Sequence, residues 1–501
     1  MNFMNKEEAL SFYKQYRDKC NAYQLAETTI FFDMSTIAPE NGSDYRIKMM
    51  SLLGGEAFDY QTAPENIEKL EEMSKLDLGE IMNEEIRQVL KELHRISKLP
   101  RDFYIYMQEL TAKGELAWKK AKKEKDYTLF KDTLKELIEM KKKAYGYYGY
   151  DKTLYDAMLD DYETGMTIEK YDIFFNCIKE RLVPFIKKLQ KEGKKIDDQP
   201  LHQIFDIEGQ EKVMDVLKDY MNFNPKECYM GLSAHPFTCS FSLHDVRITN
   251  KYVEDSLVSS IFTIIHEYGH ALYMMHVDEK LEGLYISGSM TSGMHESQSR
   301  FLENYIGKRK SFWVNNFSKV KEIFPDQLKN IAFDDFMEMI NVSQPSLIRT
   351  EADELTYPLH ILIRYELEKE MINGHIDMDH LDQIWADKYE EYLGVRPQDA
   401  SEGILQDIHW SDGSFGYFPT YALGSAFGAQ FFKAMKKDID VDVALAGNHF
   451  SLIEDWLREH IHQYGALYKA DEIIEKVCHE PFDPNIYIDY LIDKFSKIYD
   501  I

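Results

Sequence analysis

Helical periodicity runs through almost the whole of this 501-residue chain, with one break in texture. Segments such as EEALSFYKQYRDKCNAYQLAETTIFFDM and NEEIRQVLKELHRI space apolar residues three and four apart, with charges between them. Between about 229 and 252 the chain instead reads YMGLSAHPFTCSFSLHDVRITNKYV, short groups of Ser, Thr, Phe, Val and Ile around a Gly and a Pro. That stretch predicts two or three short strands, the main β content of the protein. Helical spacing resumes near 255, and WSDGSFGYFPTYALGSAFG (410–428) reads as a loop with Gly and Pro as breakers. No linker-like tract divides the chain. The expected fold is mainly α, a single domain over 1–501. It comprises a mainly helical lobe (1–230), a motif-bearing region (231–428) with a small sheet, and C-terminal helices (429–501).

Charge narrows the range of partners. Lys and Arg number 59 against 87 Asp and Glu, a formal net charge of −28. Nucleic acid and anionic membranes attract the opposite sign, so neither is expected as a partner. No run of about 18 apolar residues occurs, so no transmembrane helix is expected. Lys6, Glu7 and Glu8 break up the first apolar stretch, which reads as no signal peptide. Five scattered cysteines without CxxC spacing predict reduced thiols in a cytoplasmic protein rather than a disulfide framework.

The chemistry begins at IFTIIHEYGHALYMMH. His266 and His270 are four apart on an apolar helix, so both imidazoles leave one face and suit a zinc ion. Glu267 falls beside the metal's open position, where a carboxylate can take a proton from an activated water. His276 stands where a metzincin carries its third histidine. That arrangement needs a Gly at the position of Tyr273, and without the turn His276 lies on another face further along, so it is rejected. A carboxylate from a later helix is the alternative. Glu279 and Glu282 follow the motif too soon. Glu296, in the helical segment MHESQSRFLENYIG, is preferred, with Glu303 in reserve. Two histidines and one carboxylate leave a fourth position open, as in catalytic zinc sites; cobalt or manganese would suit the same donors.

Around this helix the chain carries HPF (235–237), DVRIT (245–249), HESQ (295–298), IRTEAD (348–353) and GILQDIHW (403–410). The ordered set resembles the carboxypeptidase Taq family of metallocarboxypeptidases. The resemblance implies a saddle-like helical fold with a deep central groove, shared with neurolysin and angiotensin-converting enzyme. It implies His266, His270 and Glu296 as ligands of one Zn2+ per subunit and Glu267 as general base. It further implies a cytoplasmic homodimer that acts on peptides with a free C-terminal carboxylate, releasing single amino acids with broad specificity.

Recognising a terminal carboxylate calls for an arginine fork. Arg349 and Arg247 are the motif candidates, although Asp353 and Asp245 in the same motifs offer each a structural ion pair. The oxyanion needs a donor besides the metal, and His409 with Tyr421 suit that role, with Tyr417 as second choice. His235 is a candidate to line the pocket; it reads equally well as a turn residue.

Overall fold

The computed structural model describes residues 5–288 and 290–501. It is overwhelmingly helical, with a single three-stranded sheet among the described residues. The chain opens with four helices, α1 (Lys6–Thr36), α2 (Ser43–Gln61), α3 (Pro64–Met73) and α4 (Glu80–Ile96). They share a hydrophobic cluster of their own, with Tyr13, Tyr16, Leu70, Ile86 and Leu93 buried in it. From Leu99 to Tyr499 one continuous core joins the remaining helices. The change of texture near 230 therefore marks the sheet, whereas the change of core comes near residue 95.

The strands are β1 (Cys228–Leu232), β2 (Thr238–Ser242) and β3 (Asp245–Asn250), within the stretch expected to be extended. Their order is β1-β3-β2, with β1 parallel and β2 antiparallel to the central β3. Val246 and Ile248 of β3 are buried in the main core, while Arg247 between them projects from the other face. That face is covered by the end of α1, where Phe32 meets Tyr229, Phe237 and Phe241 edge-on.

Four helices frame the site: α5 (Leu257–Met275), α6 (Ser292–Arg300), α7 (Tyr357–Asn373) and α8 (Phe418–Asp438). Helix α6 runs on into a π-helical turn, Phe301–Gly307. Much of the stretch 410–428, expected as a loop, belongs to α8. Pro419 sits in the first turn of that helix, where its missing N–H costs nothing. Gly424 is a contact residue rather than a breaker: a Cβ there would lie 2.8 Å from both Glu296 Cβ and the Gly293 carbonyl oxygen.

The N-terminal four helices are fastened to the body at the segment between α5 and α6. Fully buried Glu85 accepts from Tyr13 and from the backbone N–H groups of Tyr285 (2.7 Å) and Ile286 (2.9 Å). Between this arm and the body lies a cavity of about 980 Å³, lined by Arg17, Arg87, Ser240, Tyr273 and Thr291 among others. No helix of the described residues is long and apolar enough to cross a membrane. All five cysteines are unpaired.

Candidate metal centre and its facing wall

Helix α5 buries Ile261, Ile264, Ile265, Tyr268, Ala271 and Leu272, and the same pitch presents His266, Glu267 and His270 together on the opposite face. Gly269 lets α6 come close. A Cβ at that position would stand 2.5 Å from the Gln298 carbonyl oxygen and 2.6 Å from Ser299 Cα. With Gly424 pressing from α8, Glu296 is held between two helices at points where only glycine fits.

The result is convergence. Glu296 Oε2 lies 3.5 Å from His270 Nε2 and 3.8 Å from His266 Nε2. One donor atom from each residue falls within 4.8 Å of the others. Ligand atoms on a tetrahedral zinc stand about 3.3 Å apart, given metal–ligand bonds of ~2.0–2.1 Å, so the donor set fits a small divalent cation. Burial would raise the Glu296 pKa, but Arg300 and both histidines outweigh it and hold the carboxyl well below its usual range. The general-base candidate Glu267 is buried, and its Oε2 accepts from Thr238 Oγ1 on β2 at 2.5 Å.

Both metal-facing imidazoles are gripped from behind. His266 Nδ1 donates to Glu303 Oε2 at 2.8 Å, and His270 Nδ1 faces His295 Nδ1. Such contacts fix the tautomer and ring orientation of a ligand histidine. Glu303, the reserve ligand, thus stands behind the donor set rather than in it. Burial works against its charge, yet Arg300 and the His266 hydrogen bond bring its pKa down to about 2.

A second group of side chains, the facing wall, is joined to the metal centre through Tyr357 and Arg300. Arg349 is buried, and its Nε donates to Asp407 Oδ1 at 2.9 Å while Nη1 donates to the Tyr357 hydroxyl at 3.2 Å. Asp407 also accepts from Arg364 Nε at 2.7 Å. Arg349 Nη2 makes no hydrogen bond among the described residues. Its guanidinium lies 4.8 Å from the centre of the Tyr421 ring. The Tyr421 hydroxyl in turn meets His409 Nε2 at 3.1 Å. Burial, with Arg349 nearby, pushes the His409 pKa down to about 4, so this imidazole is neutral at pH 7. The loop holding His409 is anchored by buried Glu368, which accepts from Trp410 Nε1 (2.6 Å), Tyr155 (2.8 Å) and the Gly416 N–H (2.9 Å). Tyr357 joins the two groups, because the Arg300 guanidinium lies 4.3 Å from its ring centre.

Residues 12–495 match the family described as carboxypeptidase Taq (M32) metallopeptidase. The chain is similar to carboxypeptidase 1 of Bacillus subtilis, 38% identical over 480 residues, covering 95% of this chain and 96% of that protein. The chain belongs to the carboxypeptidase Taq (M32) metallopeptidase family. Among solved structures it resembles a Pyrococcus furiosus carboxypeptidase, with a TM-score of 0.95, 34% identity, and 99% and 100% of the two chains covered. An M32 carboxypeptidase from Deinococcus radiodurans also superposes at 0.95, with 28% identity and 98% and 100% coverage. This M32 chain is therefore a metallocarboxypeptidase, a peptide hydrolase that works with a divalent metal ion.

The remaining motif residues are placed less centrally. Arg247 is held in a two-point pair by Asp245, 2.9 Å from Nε and 2.7 Å from Nη2, and stacks 3.9 Å over Phe241. It lines a separate cavity of about 960 Å³ with Phe32, Asp215 and Tyr229, and no contact joins it to Arg349. His235 is exposed in the turn between β1 and β2, where its carbonyl accepts from Ser233; its side chain makes no hydrogen bond among the described residues. His276 ends α5 facing His462, away from Glu296. The partner of Arg349 is Asp407, not Asp353, which instead accepts from Ser343 and Thr356 at the start of α7. Arg300 and Glu303 are the residues that sequence reasoning passed over as supports. Their offsets of four and seven from Glu296, close to whole helical turns, were the available signal.

Proposed function

We propose that this M32 protein binds one zinc ion per subunit through His266 Nε2, His270 Nε2 and Glu296 Oε2, with cobalt or manganese as substitutes. On this reading it releases single amino acids from the C-termini of peptides with broad specificity. The observation that carries it is the pairing of a converged donor set with a buried arginine on the facing wall whose Nη2 is uncommitted. When bound, the ion supplies a Lewis acid and lowers the pKa of water towards ~7.

The chain's own groups do the rest. Glu267, with Oε2 held by Thr238 and Oε1 without a protein partner, takes the proton from the attacking water and returns it to the departing amine. The neutral His409 imidazole donates Nε2–H to the Tyr421 oxygen, which leaves the phenolic hydrogen free for the developing oxyanion; Tyr417, 5.2 Å away between ring centres, is the second choice. Arg349 offers Nη2 to the terminal carboxylate, and Asp407 with Tyr357 keeps its fork in place. Arg247 and His235 are read as outer contacts for the peptide, Arg247 from the separate cavity that it lines.

We read residues 1–501 as one catalytic unit working as a cytoplasmic homodimer. Unpaired cysteines and the exposed apolar residues Tyr45, Ile47 and Leu52 on α2 support that reading. The test is product analysis on a blocked tripeptide with a free carboxylate. Release of one amino acid, abolished by a chelator and restored by zinc, is expected. Release of a dipeptide, or activity indifferent to chelation, would sink the proposal.

A further inference from the structure

Behind the proposed donor set lies a closed circuit that no ligand role accounts for. Arg300 Nε donates to Glu296 Oε1 at 2.8 Å, and its Nη1 donates to Glu303 Oε2 at 3.0 Å. That same Glu303 oxygen takes the hydrogen bond of His266 Nδ1. One guanidinium therefore touches the carboxylate ligand directly and the histidine ligand through a single intermediary. Glu296, Arg300 and Glu303 follow one another at intervals of four and three residues. The last step enters the π-helical turn Phe301–Gly307, a local widening that recurs at functional sites. The Tyr357 ring closes the guanidinium's open face.

Two consequences follow from geometry and charge. Oε1 of Glu296 is engaged by Arg300, so Oε2 alone is turned towards the histidines. Glu296, Glu303 and Glu267 bring three negative charges to a nearly dry site. A divalent cation and one arginine together cancel them, whereas the cation alone does not.

We propose that Arg300 is a positioning residue for the metal, keeping Glu296 a one-oxygen ligand and Glu303 locked on His266. The inference rests on the metal site proposed above. It runs against simple electrostatics, because a cation beside a divalent ion repels it. Charge alone says that deleting Arg300 tightens metal binding; positioning says that it loosens it.

The experiment uses the full-length protein, stripped with a chelator. Zinc affinity is measured by competition with a chromophoric chelator, and the visible absorption of the cobalt-loaded protein is recorded. For Arg300→Gln we expect zinc affinity to fall about 10- to 100-fold, the scale for lost outer supports of metal ligands. The cobalt band should change shape as Glu296 gains freedom to offer both oxygens. Arg300→Lys keeps the charge but not the fork, so it should lose affinity by a smaller factor with a shifted band. This variant decides the question if the glutamine variant does not fold. Unchanged or tighter zinc binding with an unchanged cobalt band, in either variant, overturns the role of Arg300. Failure of the wild-type protein to bind zinc would instead overturn the metal site itself.

Discussion

The two walls of the site are built on opposite principles. On the metal side the supports behind the ligands come from one helical run, from His266 through Glu303 and Arg300 to Glu296. On the facing wall the support is distant in the chain, with Arg349 held by Asp407 58 residues away. Both walls leave polar atoms without a hydrogen bond among the described residues: Arg349 Nη2 and buried His409 Nδ1 on one, Arg300 Nη2 and buried His295 Nε2 on the other. A protein interior seldom leaves polar groups unpaired, because each costs about 1–3 kcal/mol. The contrast teaches that the metal side is supported from within its own helical run, and the facing wall by residues brought from distant segments.

The largest expected effect falls between the walls. Glu267→Gln keeps the Thr238 contact and the shape but removes the base. Turnover of free-acid peptides should drop by about 10²–10⁴, the range for general acid–base catalysis, with zinc affinity unaltered. Steady-state rates together with metal analysis check it; a variant with wild-type turnover would remove Glu267 from the reaction.

Next comes the unmatched arginine. Arg349→Ala should lower kcat/KM on free-acid peptides by about ten- to a hundred-fold, the scale of one charge-assisted pair. The decisive readout is the ratio of rates on free-acid and C-terminally amidated peptides, which should collapse towards one. Buried Asp407 loses a partner in this variant, so a general loss of stability would slow both substrates alike and leave the ratio intact. Arg247→Ala, by contrast, should leave the ratio unchanged.

A smaller effect separates the tyrosines. Tyr421→Phe removes the hydroxyl that meets His409 while keeping the ring on Arg349, so kcat should fall about tenfold, the scale of one neutral hydrogen bond, with KM nearly constant. Tyr417→Phe should do less. If Tyr417→Phe proves the more damaging, the oxyanion donor is misassigned and the contact between His409 and Tyr421 is structural.

The same contrast explains what was legible in the sequence. The metal side is local: HEYGH states its own helical spacing, and Glu296 opens the next helical segment. Read against the 3.6-residue period, Arg300 and Glu303 were also within reach. The facing wall draws Arg349 and Arg364 to Asp407, 58 and 43 residues away, so that pairing was not, whereas His409 and Tyr421 are only 12 apart and were read together. Asp353 looked like the partner of Arg349 because it is near in sequence, yet it accepts from Leu355 and Thr356 just before α7, and Asp407 arrives from another segment. The glycines of 410–428 misled for a related reason. Gly424 signals a turn in isolation, but in the fold it clears space for Glu296, which only the neighbouring helix reveals.

The last effect is on stability rather than turnover and concerns the foundation of the metal side. Glu163 is almost wholly buried at the start of α6, where Oε2 accepts from the Gly293 N–H at 2.9 Å and Oε1 has no partner. Burial pushes its pKa up to about 8, against the Thr291 and Gly293 contacts that favour the charge. A carboxyl that ionises near 4.5 when unfolded but near 8 when folded binds more protons in the native state throughout that interval. Its contribution is full below about pH 4.5 and is lost as pH rises through 8, because the unfolded chain gives up its proton first. Glu163→Gln copies the neutral form and removes that slope. The metal-free variant should therefore gain stability relative to wild type as pH rises from 5 to 8, measured by urea unfolding at each pH. A constant difference across that range would mean that Glu163 is already charged in the fold, and that the start of α6 holds an anion rather than a neutral acid.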